Sequence, residues 1–205
     1  WDHLKSEHQM DSLLSRESAF LLNNLLFMGI AASVFWGTVF PMISELATGQ
    51  KISVGPPFYN RVAGPQFAGL VLLMGIGPLM AWRKASPKQL GRMLLIPSVG
   101  AILVVGALLI LGIRSWGALL GFGIVTLAAL TTLIEFGRGT RARMRSTGEN
   151  AWAAFTTLVA RNRRRYGGYI IHLAVVLMTI GIIGSNFFQK ETQGRLKLGE
   201  QLTLG

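Results

Sequence analysis

Cysteine does not occur in the 205-residue chain, which excludes disulfides, thiolate metal sites, a CxxC redox pair and thioether attachment of a prosthetic group to this chain. Charge is also scarce: Asp, Glu, Lys and Arg make up 14% of the residues, with 9 Asp+Glu against 20 Lys+Arg. No Ser/His/Asp constellation, P-loop, HExxH or dinucleotide fingerprint is present, so hydrolysis, phosphoryl transfer and nicotinamide chemistry have no foothold. No catalytic residue can be named on these grounds. Low-complexity tracts and repeats of helical-hairpin size are missing too, and neither a solenoid nor an inverted-repeat transporter gains support. The ligand candidates that remain are three histidines, His3, His8 and His172.

What the chain has in excess is apolar length. Hydrophobic residues are 51% of the total, and five runs of 20 or more residues contain no Asp, Glu, Lys or Arg: Ser18 to Ser44, Val62 to Trp82, Met93 to Ile113, Ser115 to Ile134 and Tyr166 to Gln189. Each matches the roughly 20 residues a helix needs to cross a hydrocarbon core about 30 Å thick. The fold class is therefore all-α, a polytopic helical membrane protein with five transmembrane helices. The spans are expected at 18–44, 62–82, 93–113, 115–134 and 166–188, between a lead-in at 1–17 and a final segment at 189–205.

Charge placement orients the bundle. With the N-terminus in the cytoplasm, segments 1–17, 83–92 and 135–165 hold fourteen of the 20 Lys+Arg, and the outer segments hold six. The positive-inside rule then favours N-in, C-out, which an odd number of spans also requires. The basic loop 135–165 carries Arg138, Arg141, Arg143, Arg145, Arg161, Arg163, Arg164 and Arg165. Membrane lipids are its natural partner, because anionic headgroups attract such a cluster. No aromatic platform or nucleic-acid fold accompanies it, so nucleic acid is not. Within that loop, Ser146-Thr147-Gly148-Glu149 has capping-box spacing, and Trp152, Phe155 and Val159 fall near one helical face, which predicts a short interfacial helix on the cytoplasmic side.

The outer loop 45–61 contains Gly55-Pro56-Pro57, read as a rigid extended or turned boundary with Phe58 and Tyr59 at the interface. Arg114 sits alone between the third and fourth spans, in a tight hairpin. Gly117, Gly121 and Gly123 permit close helix packing, and Pro41, Pro78 and Pro97 can bend the spans near them. Asn23 and Asn24 point to different faces of the first span, so at least one is expected to hydrogen-bond across a helix interface. Glu135 beside Arg138 reads as a solvated i,i+3 pair.

His3 and His8 precede the first span in a mixed-charge segment and read as surface histidines. His172 differs. It lies six residues into the fifth span, roughly 9 Å below the arginine-marked boundary, and leaving its nitrogens unpaired in hydrocarbon is costly. Gly168, one turn toward that boundary on the same face, leaves room for a planar ligand. Three roles stay open from the residues: a histidine bonded to a neighbouring helix, an axial ligand of haem iron, or a proton relay.

Four strings, SRESAFLLNNLLFMGIAASVFWGTVFPMISE, KISVGPPFYNRVAGPQ, GIGPLMAWR and RRRYGGYIIHLAVVLMTIGIIGS, stand in an order and spacing that resembles the C-terminal half of the CcmF family of cytochrome c haem lyases. The resemblance implies an integral component of the system I cytochrome c maturation machinery, in the bacterial inner membrane or, for a split organellar form, the mitochondrial one. It implies a part in taking haem from a CcmE-like haem chaperone and, with a CcmH-like thiol protein, attaching it to apocytochrome c. The family's membrane-embedded haem b is held by two transmembrane histidines, and the one in its RYGG-containing helix matches His172. The family's WWD segment, its two periplasmic histidines and its other transmembrane histidine belong to the preceding half and have no counterpart here. The chain is thus expected to be a piece of a longer or split lyase, inactive alone and completed by the missing N-terminal half, which supplies the second axial ligand. Two rivals are a transporter or proton-conducting subunit using His172 and a non-catalytic membrane scaffold.

Overall fold

Ser15 opens the first helix by accepting a hydrogen bond from the Ser18 amide at 3.1 Å, an N-cap that satisfies one of the donors a helix start leaves free. The computed structural model describes residues 15–80 and 86–189. His3, His8 and the AWR end of the GIGPLMAWR string lie outside them. From the cap, α1 runs Arg16–Thr48 and stops at Gly49, whose φ of 70° is the left-handed conformation that glycine adopts without a Cβ penalty. Helix α2, Pro56–Ile76, begins with two prolines behind Gly55. The first two positions of a helix tolerate proline because their N–H groups have no intrahelical acceptor. A single 3-10 turn, Gly77–Leu79, follows directly. The remaining helices are α3, Pro87–Ile110; α4, Trp116–Thr147; α5, Ala151–Arg161; and α6, Arg163–Phe188.

The all-α class stands, and five of the helices, all but α5, are long and apolar enough to cross a membrane. The surface agrees with that class. Trp116 is 86% exposed, and Leu46 and Ile110 are 88% exposed, which suits hydrocarbon or a further protein surface and would be costly in water.

Helix boundaries differ from those drawn by charge: α3 already begins at Pro87, ahead of the expected 93, and α4 and α2 extend further too. The expected fourth span, 115–134, continues in one helix to Thr147, so Arg138, Arg141, Arg143 and Arg145 ride on α4 and not in a loop. A 32-residue helix is about 48 Å long, well beyond the hydrocarbon thickness, so its last turns need not be apolar. The outer loop narrows to residues 49–55, because Phe58 and Tyr59 already belong to α2. The capping box expected at Ser146 to Glu149 is replaced by other contacts. Gly148 ends α4 with φ 70°, Glu149 turns back to Arg143, and Asn150 caps α5 by accepting from the Ala153 amide at 2.8 Å.

Helix α4 is the hub, packed against α2, α3, α5 and α6. Small residues make this possible. A Cβ on Gly75 of α2 would lie 2.9 Å from the Ala128 backbone, and Gly117 and Gly121 of α4 face Phe187 and Ile183 of α6, as the GxxxG spacing suggested. The buried core falls into two clusters. One joins Val71, Ala118, Val125, Ala128, Val176 and Ile183 from α2, α4 and α6. The other joins Phe136, Leu158, Tyr166 and Tyr169 from α4, α5 and α6. Helix α1 packs on α2, where Gln66 donates to Ser33 Oγ at 3.1 Å. Asn23 and Asn24, expected to supply such a bond, form none with another described residue; that interface uses Gln66, because its longer amide spans the helix gap.

Candidate functional site

Arginines 163 to 165 start α6, and the helix then becomes apolar at once: RRRYGGYIIHLAVV. His172 follows Arg165 by seven residues, or about 10 Å along the axis. It sits at the seam of the two core clusters, three residues after Tyr169 of the aromatic cluster and four before Val176 of the aliphatic one. The Tyr169 ring leans on the imidazole with centroids 6.1 Å apart and planes tilted by 53°. Gly168 has open space where a Cβ would project, so the face one turn before the imidazole is unobstructed by described residues.

The imidazole is half-buried, and its Nδ1 is fully enclosed without a hydrogen-bond partner among the described residues. Nε2 is not enclosed in this way, and no described residue bonds it either. A second enclosed, unpartnered polar atom is Thr131 Oγ1 on α4. The antiparallel packing of α4 on α6, with Gly117 at Phe187, Gly121 at Ile183 and Gly139 at Tyr166, brings the Thr131–Thr132 pair level with His172. Thr132 has turned its hydroxyl to the Ala128 carbonyl at 2.8 Å; Thr131 has not. Polar valence therefore stands open at one height of the bundle.

Below His172, Glu135 ties α4 to α6. Its carboxylate accepts from Arg138 at 3.0 Å and from Arg165 at 3.1 Å. Only 11% of its side chain is exposed, which corrects the reading of a solvated pair: the arginines and the α4–α6 packing cover it. Arg165 also donates to the Tyr169 hydroxyl at 3.4 Å and lies 5.8 Å from both the Tyr166 and Tyr169 ring centroids. A continuous path runs from Glu135 through Arg165 and Tyr169 to the His172 ring. At the far end of α4, Glu149 takes Arg143 in a two-pronged ion pair, both contacts 2.8 Å, and that guanidinium holds the Glu149 carboxyl below its ordinary pKa.

No group of three or more His, Cys, Asp or Glu capable of holding a metal ion occurs among the described residues. Among the described residues His172 is the one histidine, and a neutral imidazole is a single nitrogen donor.

Protein-family models and solved structures yield no match. Curated proteins do. The chain is 30% identical over 198 residues to the cytochrome c-type biogenesis protein CycK of Rhizobium meliloti, covering 94% of this chain and 28% of that protein. It is 42% identical over 122 residues to the cytochrome c-type biogenesis protein ccl1 of Rhodobacter capsulatus, covering 55% of this chain and 18% of that protein. Against the cytochrome c-type biogenesis protein CcmF of Escherichia coli the identity is 26% over 201 residues, covering 95% and 28%. The chain belongs to the CcmF family. It spans less than a third of the length of these relatives.

The strings that carried the resemblance occupy distinct parts of this CcmF-family bundle. SRESAFLLNN caps and starts α1, ISVGPPFYN makes the α1–α2 connection and opens α2, and RRRYGGYIIH opens α6. Sequence reasoning singled out His172, Gly168 and the Glu135–Arg138 pair, but not the link from Glu135 through Arg165 and Tyr169. Tyr169 was legible as one turn before it, and Glu135 as the acidic residue ending an apolar run. Thr131 had no signal, since its lack of a partner depends on which way α4 faces.

Proposed function

We propose that this chain forms a membrane part of a cytochrome c haem lyase, in which His172 is one axial ligand of a b-type haem. A role in cytochrome c maturation follows from the family. The finer reading is that the assembled lyase receives haem from a CcmE-like chaperone and, with a CcmH-like thiol protein, attaches it to apocytochrome c. The proposed location is the bacterial inner membrane or a mitochondrial one, with the N-terminus in the cytoplasm.

The observation that carries the ligand role is an imidazole within a membrane-crossing helix that makes no hydrogen bond to any described residue. Such a group costs free energy unless something binds it. The residues fit a haem in kind: neutral imidazole suits haem iron, and Gly168 leaves the adjoining face open. When bound, a haem would supply one-electron chemistry. The chain's own share is to hold the imidazole. Val176 packs into the core one turn above it, Tyr169 limits its tilt from one turn below, and Arg165 and Glu135 hold Tyr169. These contacts also keep water from Nδ1. A second histidine ligand to such a haem would come from outside this chain, which has no other histidine within an apolar run.

The test is a reduced-minus-oxidised spectrum with a pyridine haemochrome assay on the lyase purified with its remaining part, for wild type and His172→Gly at matched protein levels. Loss of a b-type signal in the variant, returning with added imidazole, supports axial ligation. A wild-type complex without haem, or a variant with an unaltered spectrum, overturns it.

A further inference from the structure

The α3–α4 hairpin is closely packed where Gly100 meets Leu130 and Gly123 meets Val105, and along its seam runs a surface groove of about 840 Å³ that Leu72 of α2 also lines. Ala101 and Gly123 are its smallest lining residues, and it is lined as well by Arg114 on the α3–α4 connection and Trp116 at the start of α4. Arg114 is the one charged residue in the lining. It is exposed and has no ion-pair or hydrogen-bond partner among the described residues.

The length points to the occupant. The α3 lining runs from Ser98 to Leu109, about 16 Å at 1.5 Å per residue. That is close to half of a hydrocarbon core about 30 Å thick, the depth of one leaflet. A flexible acyl chain of one leaflet can follow a groove of that length. The charge agrees. Cations near helix ends reach the headgroup layer, where anionic phosphate is the available counter-ion, and Trp at the same level is the usual boundary residue.

We propose that this groove is a binding site for one glycerophospholipid of the leaflet on the α3–α4 connection side, with an acyl chain along the α3–α4 seam and its phosphate on Arg114. A bound lipid fills the groove and satisfies Arg114. This site is separate from His172, which faces α4 from α6.

Native mass spectrometry of the full lyase, extracted in mild detergent, tests the site. The variants are Gly123→Leu, which fills the groove beside Val105, and Arg114→Gln, an exposed change that leaves the helices intact. Wild type is expected to retain one phospholipid through detergent washing. Occupancy falls several-fold in Gly123→Leu, and Arg114→Gln loses the lipid at lower detergent concentration. Absence of retained phospholipid in wild type, or equal retention in both variants, overturns the proposal. So does a photo-crosslinker at Ile102 that captures a polypeptide segment in place of lipid.

Discussion

Arg165 of α6 reaches across to Glu135 of α4 at 3.1 Å, and the same guanidinium bonds the hydroxyl of Tyr169, whose ring rests on His172. An acidic side chain 30 residues away in sequence is thereby linked to the one imidazole inside the bundle.

Glu135→Gln should weaken that link without removing bulk. The carboxylate is well covered, but Arg138 and Arg165 are about half exposed, so the loss should be about 1–2 kcal/mol, between exposed and buried ion pairs. Thermal unfolding in detergent measures it. An Arg165→Gln, Glu135→Gln double-mutant cycle should give a coupling well above zero, and simple additivity would show that the contact carries no energy.

Gly139 lies against Tyr166 and Leu158, where α5 and α6 meet α4. Gly139→Leu should force these helices apart and cost about 1–3 kcal/mol, as overpacking does. The same substitution at Gly137, which has open space, should be close to neutral. Equal effects at the two positions would rule out the steric account.

Thr131→Val should stabilise the protein by about 1 kcal/mol. It replaces a buried hydroxyl that has no described partner by a methyl of similar size, removing an uncompensated desolvation cost. A fall in thermal stability would mean that the hydroxyl is bonded in the assembled lyase.

The turn between α4 and α5 should loosen in acid. Arg143 lowers the Glu149 pKa in the folded chain, so this pair contributes stability above the unfolded carboxylate pKa of about 4.3. That contribution is lost as pH falls through the lowered folded value. Hydrogen exchange at residues 147 to 151 should quicken below about pH 4 relative to the chemical exchange rate. Glu149→Gln should show the looser turn at neutral pH and no such acid step.

The five crossings were legible in the sequence because hydrocarbon imposes a local rule: each backbone group must find its partner within its own helix, so long uncharged runs can be only one thing. His172 stood out for the same reason, as a polar group in a segment that solvent cannot reach. Where charge replaced apolarity the rule lapsed, and the continuation of α4 to Thr147 and the helical start at Pro56 were not visible. Tertiary structure alone decided that Glu135 is covered, that Gln66 and not Asn23 or Asn24 bridges α1 and α2, that Thr131 lacks a described partner, and that a groove lined in part by Arg114 runs along the α3–α4 seam. Each depends on the rotation of one helix against another. That rotation is set by small residues and side-chain interdigitation summed over whole interfaces, which no single run of residues encodes.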